Sequence, residues 1–212
     1  MLTKNEKRIL IAMSVLLIVL LTIAMSVAID RNIIRFVRPA ATNAIDHSMF
    51  NSDDHKCIEQ IDSLPDVVLQ SYIANGWTFQ VDKARLLNAS GSTGIFWSGM
   101  IDYENKSIYV DSSISVVHEF GHYLDWALGF PEKHEHLYQS EYDAASHFLG
   151  SYAKTNSREY FASYFAHWVK NIENEDEIAL MRTLTPLTYD YFVLLSENGW
   201  GISNGKIVYY TK

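Results

Sequence analysis

"VVHEFGHYLD", residues 116–125, is the stretch on which both fold and chemistry turn. Read as a helix, it sets His118 and His122 four positions apart, so the two imidazoles stand about 40° apart around the axis and one turn above each other. Two rings so arranged can reach one ion. Glu119 follows the first histidine and can hold a water bound to that ion. The flanking Val116, Val117, Phe120, Gly121, Tyr123 and Leu124 are uncharged, as a helix buried behind a cleft requires. The competing readings are a chance pattern on an ordinary amphipathic helix and a spent or structural copy of the motif.

The helical pattern extends outward over "DSSISVVHEFGHYLDWALG", with Asp111, Ser112 and Ser113 as candidate caps and Gly129 before Pro131 at its end. Upstream, "DSLPDVVLQSYIANGW" predicts a short helix between Ser63 and Gly76. "WTFQV" and "KSIYV" alternate as strands do, with Gly91, Gly94 and Gly99 breaking the chain between them. Downstream, periodicity predicts helices over 139–149, 157–171, 174–183 and 187–197, and a last strand in "GKIVYYT". The expected class is α+β, with a small N-terminal sheet, the helix of residues 116–125 and a mostly helical C-terminal part.

The N-terminus is a different material. Ile9–Ile29 holds 21 residues without a charge, enough as a helix to cross a hydrocarbon core of about 30 Å. This predicts a basic tail over 1–8, a transmembrane signal anchor over 9–29, a juxtamembrane stalk over 30–60 and a domain over 61–212. A signal peptide cleaved near Ser26-Val27-Ala28 is the rival, but the apolar run exceeds the usual length of about 7–15 residues. Lys4, Lys7 and Arg8 precede the run and Arg31, Arg35 and Arg38 follow it, so charge barely sets the orientation. An extracytoplasmic domain is expected, tethered to the membrane, or secreted if the segment is removed. The basic group after the run suits anionic headgroups.

Residues 1–30 hold three cations and two anions, leaving 14 positive against 23 negative and a net charge of −9. Such a surface excludes nucleic acid as a partner. Cys57 is the single cysteine, which rules out an intrachain disulfide and a multi-thiolate metal site. A metal here is held by His, Asp or Glu.

His-Glu-x-x-His on a helix is the pattern of zinc peptidases, with the glutamate as general base. Catalytic zinc takes three protein ligands. A metzincin-type extension needs a glycine three and a histidine six residues after His122, where this chain has Asp125 and Leu128. A carboxylate from a following helix remains. Glu159 in "TNSREYFASYFAHWV" is well placed, and Glu141 and Asp143 are nearer alternatives without a second supporting feature. Asp125 is expected either to accept the outer N–H of one of the two histidines or to be a surface carboxylate. His134, His136, His147 and His167 lack ligand spacing and are expected to be exposed or cleft-lining, while His47 and His55 fall in the stalk.

With these residues in view, "SVVHEFGHYLD" followed by "YAKTNSREYFASYF" (152–165) resembles the catalytic domain of anthrax lethal factor and the related Pro-Pro endopeptidases. "GMIDYENKSIYV" resembles that family's edge strand before the zinc helix. The resemblance covers about 95–170, and its motifs are specific in combination. It implies a zincin-like metallopeptidase of gluzincin type, with one zinc held by His118, His122 and Glu159, Glu119 as general base, and Tyr152, seven residues before Glu159, polarising the oxyanion. One departure stands out, because the family often carries an acid four residues after the ligand and this chain has Ser163 there, which implies weaker metal binding.

The function implied is a zinc metalloendopeptidase acting on a protein or peptide held in extended form. Gly99–Tyr103 is the expected docking edge, with Trp97 and Tyr103 lining pockets or lying in the core. A binding module that keeps the fold but not the turnover is the second reading. An effector with an intracellular target is the third, and no delivery domain accompanies it.

Overall fold

The computed structural model describes residues 50–51, 55–94, 96–203 and 206–207. They fall within the compact unit Asp46–Lys212. The tail, the apolar segment 9–29 and most of the stalk lie outside the described residues. Among the described residues no helix is long and apolar enough to cross a membrane.

The order is β1 (Phe50–Asn51), α1 (His55–Asp62), α2 (Asp66–Ala74), β2 (Thr78–Val81), α3 (Lys83–Thr93), β3 (Gly99–Asp102), β4 (Ser107–Val110) and α4 (Val116–Ala127). Then follow α5 (Glu132–Leu149), a 3-10 turn (Ser151–Lys154), α6 (Ser157–Asn171), α7 (Glu175–Leu184), α8 (Pro186–Glu197), a second 3-10 turn (Gly199–Gly201), β5 (Ile202–Ser203) and β6 (Lys206–Ile207). The class is α+β, mostly helical with a small sheet. Its strands run β1-β2-β4-β3. β2 pairs parallel with both β1 and β4, and β3 runs antiparallel to β4 with Gly99 opposite Val110 and Asp102 opposite Ser107. β3 is therefore an edge.

α4 lies between this sheet and the later helices. Phe120 meets Tyr72 at 4.6 Å and Phe79 at 6.3 Å on the sheet side, and Tyr123 meets Trp77 at 5.3 Å. All five side chains are fully buried. On the other side Phe161, Tyr164 and Trp168 of α6 close on Phe192 of α8 at 4.7–5.6 Å. The helix is covered on both faces, and α4 buries Glu119, His122 and Asp125 along with its apolar residues. Such burial of polar groups is costly unless each is hydrogen-bonded or paired.

The helix crossing is set by one residue. A Cβ added to Gly121 would stand 2.7 Å from Ala162 Cα and 2.9 Å from Ala162 O, so α4 and α6 touch backbone to backbone there.

Three sequence expectations change. Residues 55–60, assigned to the stalk, form most of α1, with Cys57 and Ile61 fully buried, so the domain starts before 61. Residues 83–93, read as a glycine-broken connection, form α3, which is capped by Asp82 Oδ1 accepting from the Arg85 N–H at 2.9 Å. Leu86 is its buried apolar side chain, too little to register as a period. α5 begins at Glu132 rather than 139, because its buried stripe is His134, Leu137, Glu141 and Ala145, half of it polar. Of the expected last strand, Lys206–Ile207 is described, paired antiparallel with β5.

The crossing generates a paired prediction. Gly121→Ala gains helix propensity of about 1 kcal/mol but must push two backbones apart, and overpacking of this kind costs roughly 1–3 kcal/mol. Gly91→Ala, in α3 with nothing within 4 Å of the added Cβ, gains propensity alone. Urea unfolding of both should show the first destabilised and the second stabilised. A Gly121→Ala protein as stable as Gly91→Ala would show that the close approach does not exist.

Candidate metal centre

Asn156 starts the site. Its Oδ1 accepts from the N–H groups of Arg158 and Glu159, each at 3.0 Å, which opens α6 and puts Glu159 in the first turn. Glu159 is one turn before Ala162, as His118 is nearly one turn before Gly121. Where the two backbones touch, those side chains are brought face to face. Glu159 Oε2 lies 3.0 Å from His118 Nε2 and 3.3 Å from His122 Nε2. One ligand atom from each of the three residues lies within 4.8 Å of the other two.

The donor set suits a borderline dication such as zinc: two imidazole Nε2 atoms and one carboxylate oxygen, without sulfur. Behind the donors support is sparse. His118 Nδ1 has Ser163 Oγ at 3.5 Å, a long contact, and buried His122 Nδ1 has no partner among the described residues. Metal-binding histidines ordinarily donate that outer N–H to a carboxylate or carbonyl, and its loss typically weakens binding. Ser163 thus leaves the outer nitrogen thinly held.

Glu119 is 5% exposed and faces the start of β3. A Cβ on Gly99 would fall 2.7 Å from Glu119 Cδ and 2.8 Å from its Cγ, so a glycine is required to admit the carboxyl. Burial pushes Glu119 up to about 7, with His122 opposing and Glu159 assisting. Burial also acts on Glu159, but its bonds to both imidazoles outweigh it and hold that carboxyl down at about 2. The two acids are thereby shifted in opposite directions, Glu119 upward and Glu159 downward. Burial lowers His118. It acts likewise on His122, but the bond to Glu159 and the charges of Glu119, Glu159 and Asp125 turn the net direction upward.

Tyr152 stands on the 3-10 turn, 56% exposed, its ring 5.9 Å from that of His118. The turn is tied down by Tyr138 donating to Lys154 O at 2.7 Å. Partial burial and the nearby Glu159 and Glu119 push the phenol up to about 12, so it remains a donor. Trp97, Tyr103, Glu119, His122, Tyr152 and Glu159 all line one cleft of about 330 Å³ that opens along β3.

The nearer carboxylates are occupied elsewhere. Glu141 accepts from the N–H groups of Leu187 and Thr188, both at 2.9 Å, and caps α8, while Asp143 is paired with Lys154 at 2.6 Å. Asp125 neither braces a ligand histidine nor lies on the surface. It is 1% exposed and meets His134 Nδ1 at 2.6 Å, and His134 Nε2 meets the Tyr191 hydroxyl at 2.9 Å. His134, expected to be exposed or cleft-lining, is buried and stacked on Phe161 with ring centroids 4.0 Å apart, because it supplies the partner that a buried carboxylate needs. His136 and His147 are exposed, and half-buried His167 meets Glu177 at 3.0 Å. Asn156 and Gly121 were not expected as site residues, and Gly99 was expected only as part of the docking edge. "NSRE" over 156–159 carries a capping-box spacing that would have placed the first. No family model matches the chain, and no curated protein matches it.

The raised Glu119 sets a sign for stability in the metal-free protein. Unfolded, the carboxyl ionises near its ordinary 4.5, whereas folded it stays protonated up to about 7. Its favourable contribution is complete below 4.5, is lost as pH rises through about 7 and is level above it. Glu119→Gln removes this titration. Its stability relative to the parent should climb by on the order of 3 kcal/mol between pH 4.5 and 8 in EDTA, followed by urea unfolding. A constant difference would mean an ordinary carboxyl.

Proposed function

We propose that this chain is a zinc-dependent endopeptidase. The observation that carries the reading is the convergence of two Nε2 atoms and one carboxylate oxygen from α4 and α6 on a single point, beside a buried acid poised near neutrality. The likeness to lethal factor and the Pro-Pro endopeptidases, resting on the residues quoted above, supports the same reading.

His118, His122 and Glu159 would hold the ion, which when bound would supply Lewis acidity and acidify water. Glu119 takes a proton from the attacking water and returns it to the leaving nitrogen. The Tyr152 hydroxyl donates to the oxygen on which negative charge develops. Glu159, held ionised, balances the site without competing for that proton. The free edge of β3 offers backbone groups to an extended substrate, with Met100 and Ile101 on the cleft wall. The apolar segment 9–29 supports a membrane-tethered or secreted enzyme with the domain outside the cytoplasm. A binding module of the same fold with weak metal affinity is the second reading, favoured by His122 Nδ1, which has no partner among the described residues.

The full chain, purified in detergent and equilibrated with zinc, should retain about one ion per chain after dialysis. Glu159→Ala should lose it, since two imidazoles alone hold a dication weakly. Glu119→Gln and Tyr152→Phe should keep it, with peptide cleavage falling by roughly 10²-fold or more in each. Stoichiometric zinc without cleavage of a mixed peptide library would favour the module. Undiminished zinc in Glu159→Ala would move the third ligand elsewhere.

A further inference from the structure

Beside Glu159 on α6, Arg158 lines the same cleft as Glu119 and His122. Its side chain is exposed, and no ion pair to it occurs among the described residues. The position is unfavourable for a cation, because the first turn of a helix is the positive end of its dipole. The two amides there are already taken by Asn156, so an incoming anion has the guanidinium to meet.

Arg158 is nevertheless held in place. Its Cζ stands 4.2 Å over the ring of Phe130. Phe130 adopts φ 51°, a left-handed conformation that a bulky residue rarely takes. Its N–H donates to Asp125 O at 2.9 Å, and its ring meets Tyr103 edge-on at 5.5 Å. A strained backbone fixed at both ends thus presents an aromatic platform, and the platform aims a planar five-donor fork into the cleft. Local rules broken together at one place mark a working part of the molecule.

We propose that Arg158 determines specificity by receiving a substrate carboxylate next to the bond cleaved, a step that rests on the peptidase reading above. The guanidinium matches a carboxylate in bidentate geometry, which lysine in its place would not. The carboxylate belongs to an Asp or Glu side chain, as an endopeptidase would meet it, or to a substrate C-terminus, which shares this chemistry and would make the cleavage that of an exopeptidase.

The zinc-equilibrated full chain carrying Glu119→Gln is mixed with fluorescent ten-residue peptide pools fixed at the centre as Asp, Asn or Lys, all C-terminally amidated. A fourth pool has Asn at the centre and a free C-terminus. Anisotropy should show the Asp pool, or the fourth pool, bound about tenfold more tightly than the amidated Asn pool. The first outcome assigns a side-chain carboxylate and the second a C-terminal one. Adding Arg158→Gln should level the pools, and adding Arg158→Glu should favour Lys. Melting temperatures check that these exposed substitutions leave the fold intact. Equal or undetectable binding of all pools, or a ranking indifferent to position 158, overturns the proposal. Cleavage of the same pools by the parent separates the two ideas: a ranking set by Arg158 without cleavage leaves the subsite and removes the peptidase, and cleavage indifferent to Arg158 does the reverse.

Discussion

Two polypeptide backbones touch at Gly121 and Ala162, and His118, His122 and Glu159 come together because they do. Helices ordinarily pack with axes 8–10 Å apart, kept there by their side chains. Removing the side chain on one helix and reducing it to a methyl on the other lets α6 come close enough for Glu159 to reach the imidazoles one turn away. A second glycine acts on the opposite face of α4, where Gly99 leaves the space that Glu119 fills. The chemistry is thus set as much by the absence of two Cβ atoms as by the groups that carry charge.

Burying so many polar groups on one helix demands a partner for each, and the surrounding helices supply most of them. Asp125 is answered by His134 and Tyr191, which ties α4 to α5 and α8. Glu141 answers the open amides of α8. These contacts brace the helices that carry the site, whereas burial pushes the Glu119 carboxyl upward with His122 opposing. The provision is unequal: Asp125 and Glu141 are paired, and the Glu119 carboxyl is buried without a hydrogen-bonded cation among the described residues.

Much of this was legible in the chain. The four-residue spacing of His118 and His122 foretold a common face, and Glu159 was picked out by its place on a following helix. The strands 78–81 and 107–110, the edge position of Gly99–Asp102 and the span of α6 agree with the expected pattern. What escaped notice escaped for physical reasons. The stripe of α5 alternates His134 and Glu141 with Leu137 and Ala145, so its period is hidden from any reading by hydrophobicity. α3 depends on a cap and intrinsic propensity more than on burial. The pairing of Asp125 with His134 joins residues on different helices with no spacing rule to announce it. Gly121 lay inside the quoted motif, but its meaning depends on Ala162, 41 positions away.

The central claim is that two imidazoles and a carboxylate meet on one ion, and X-ray absorption of the zinc-loaded full chain tests it most directly. The account predicts nitrogen and oxygen donors at about 2.0–2.2 Å, with the outer-shell signature of two imidazoles per zinc. A spectrum with one imidazole or none, or with a sulfur at about 2.3 Å from Cys57, would contradict it.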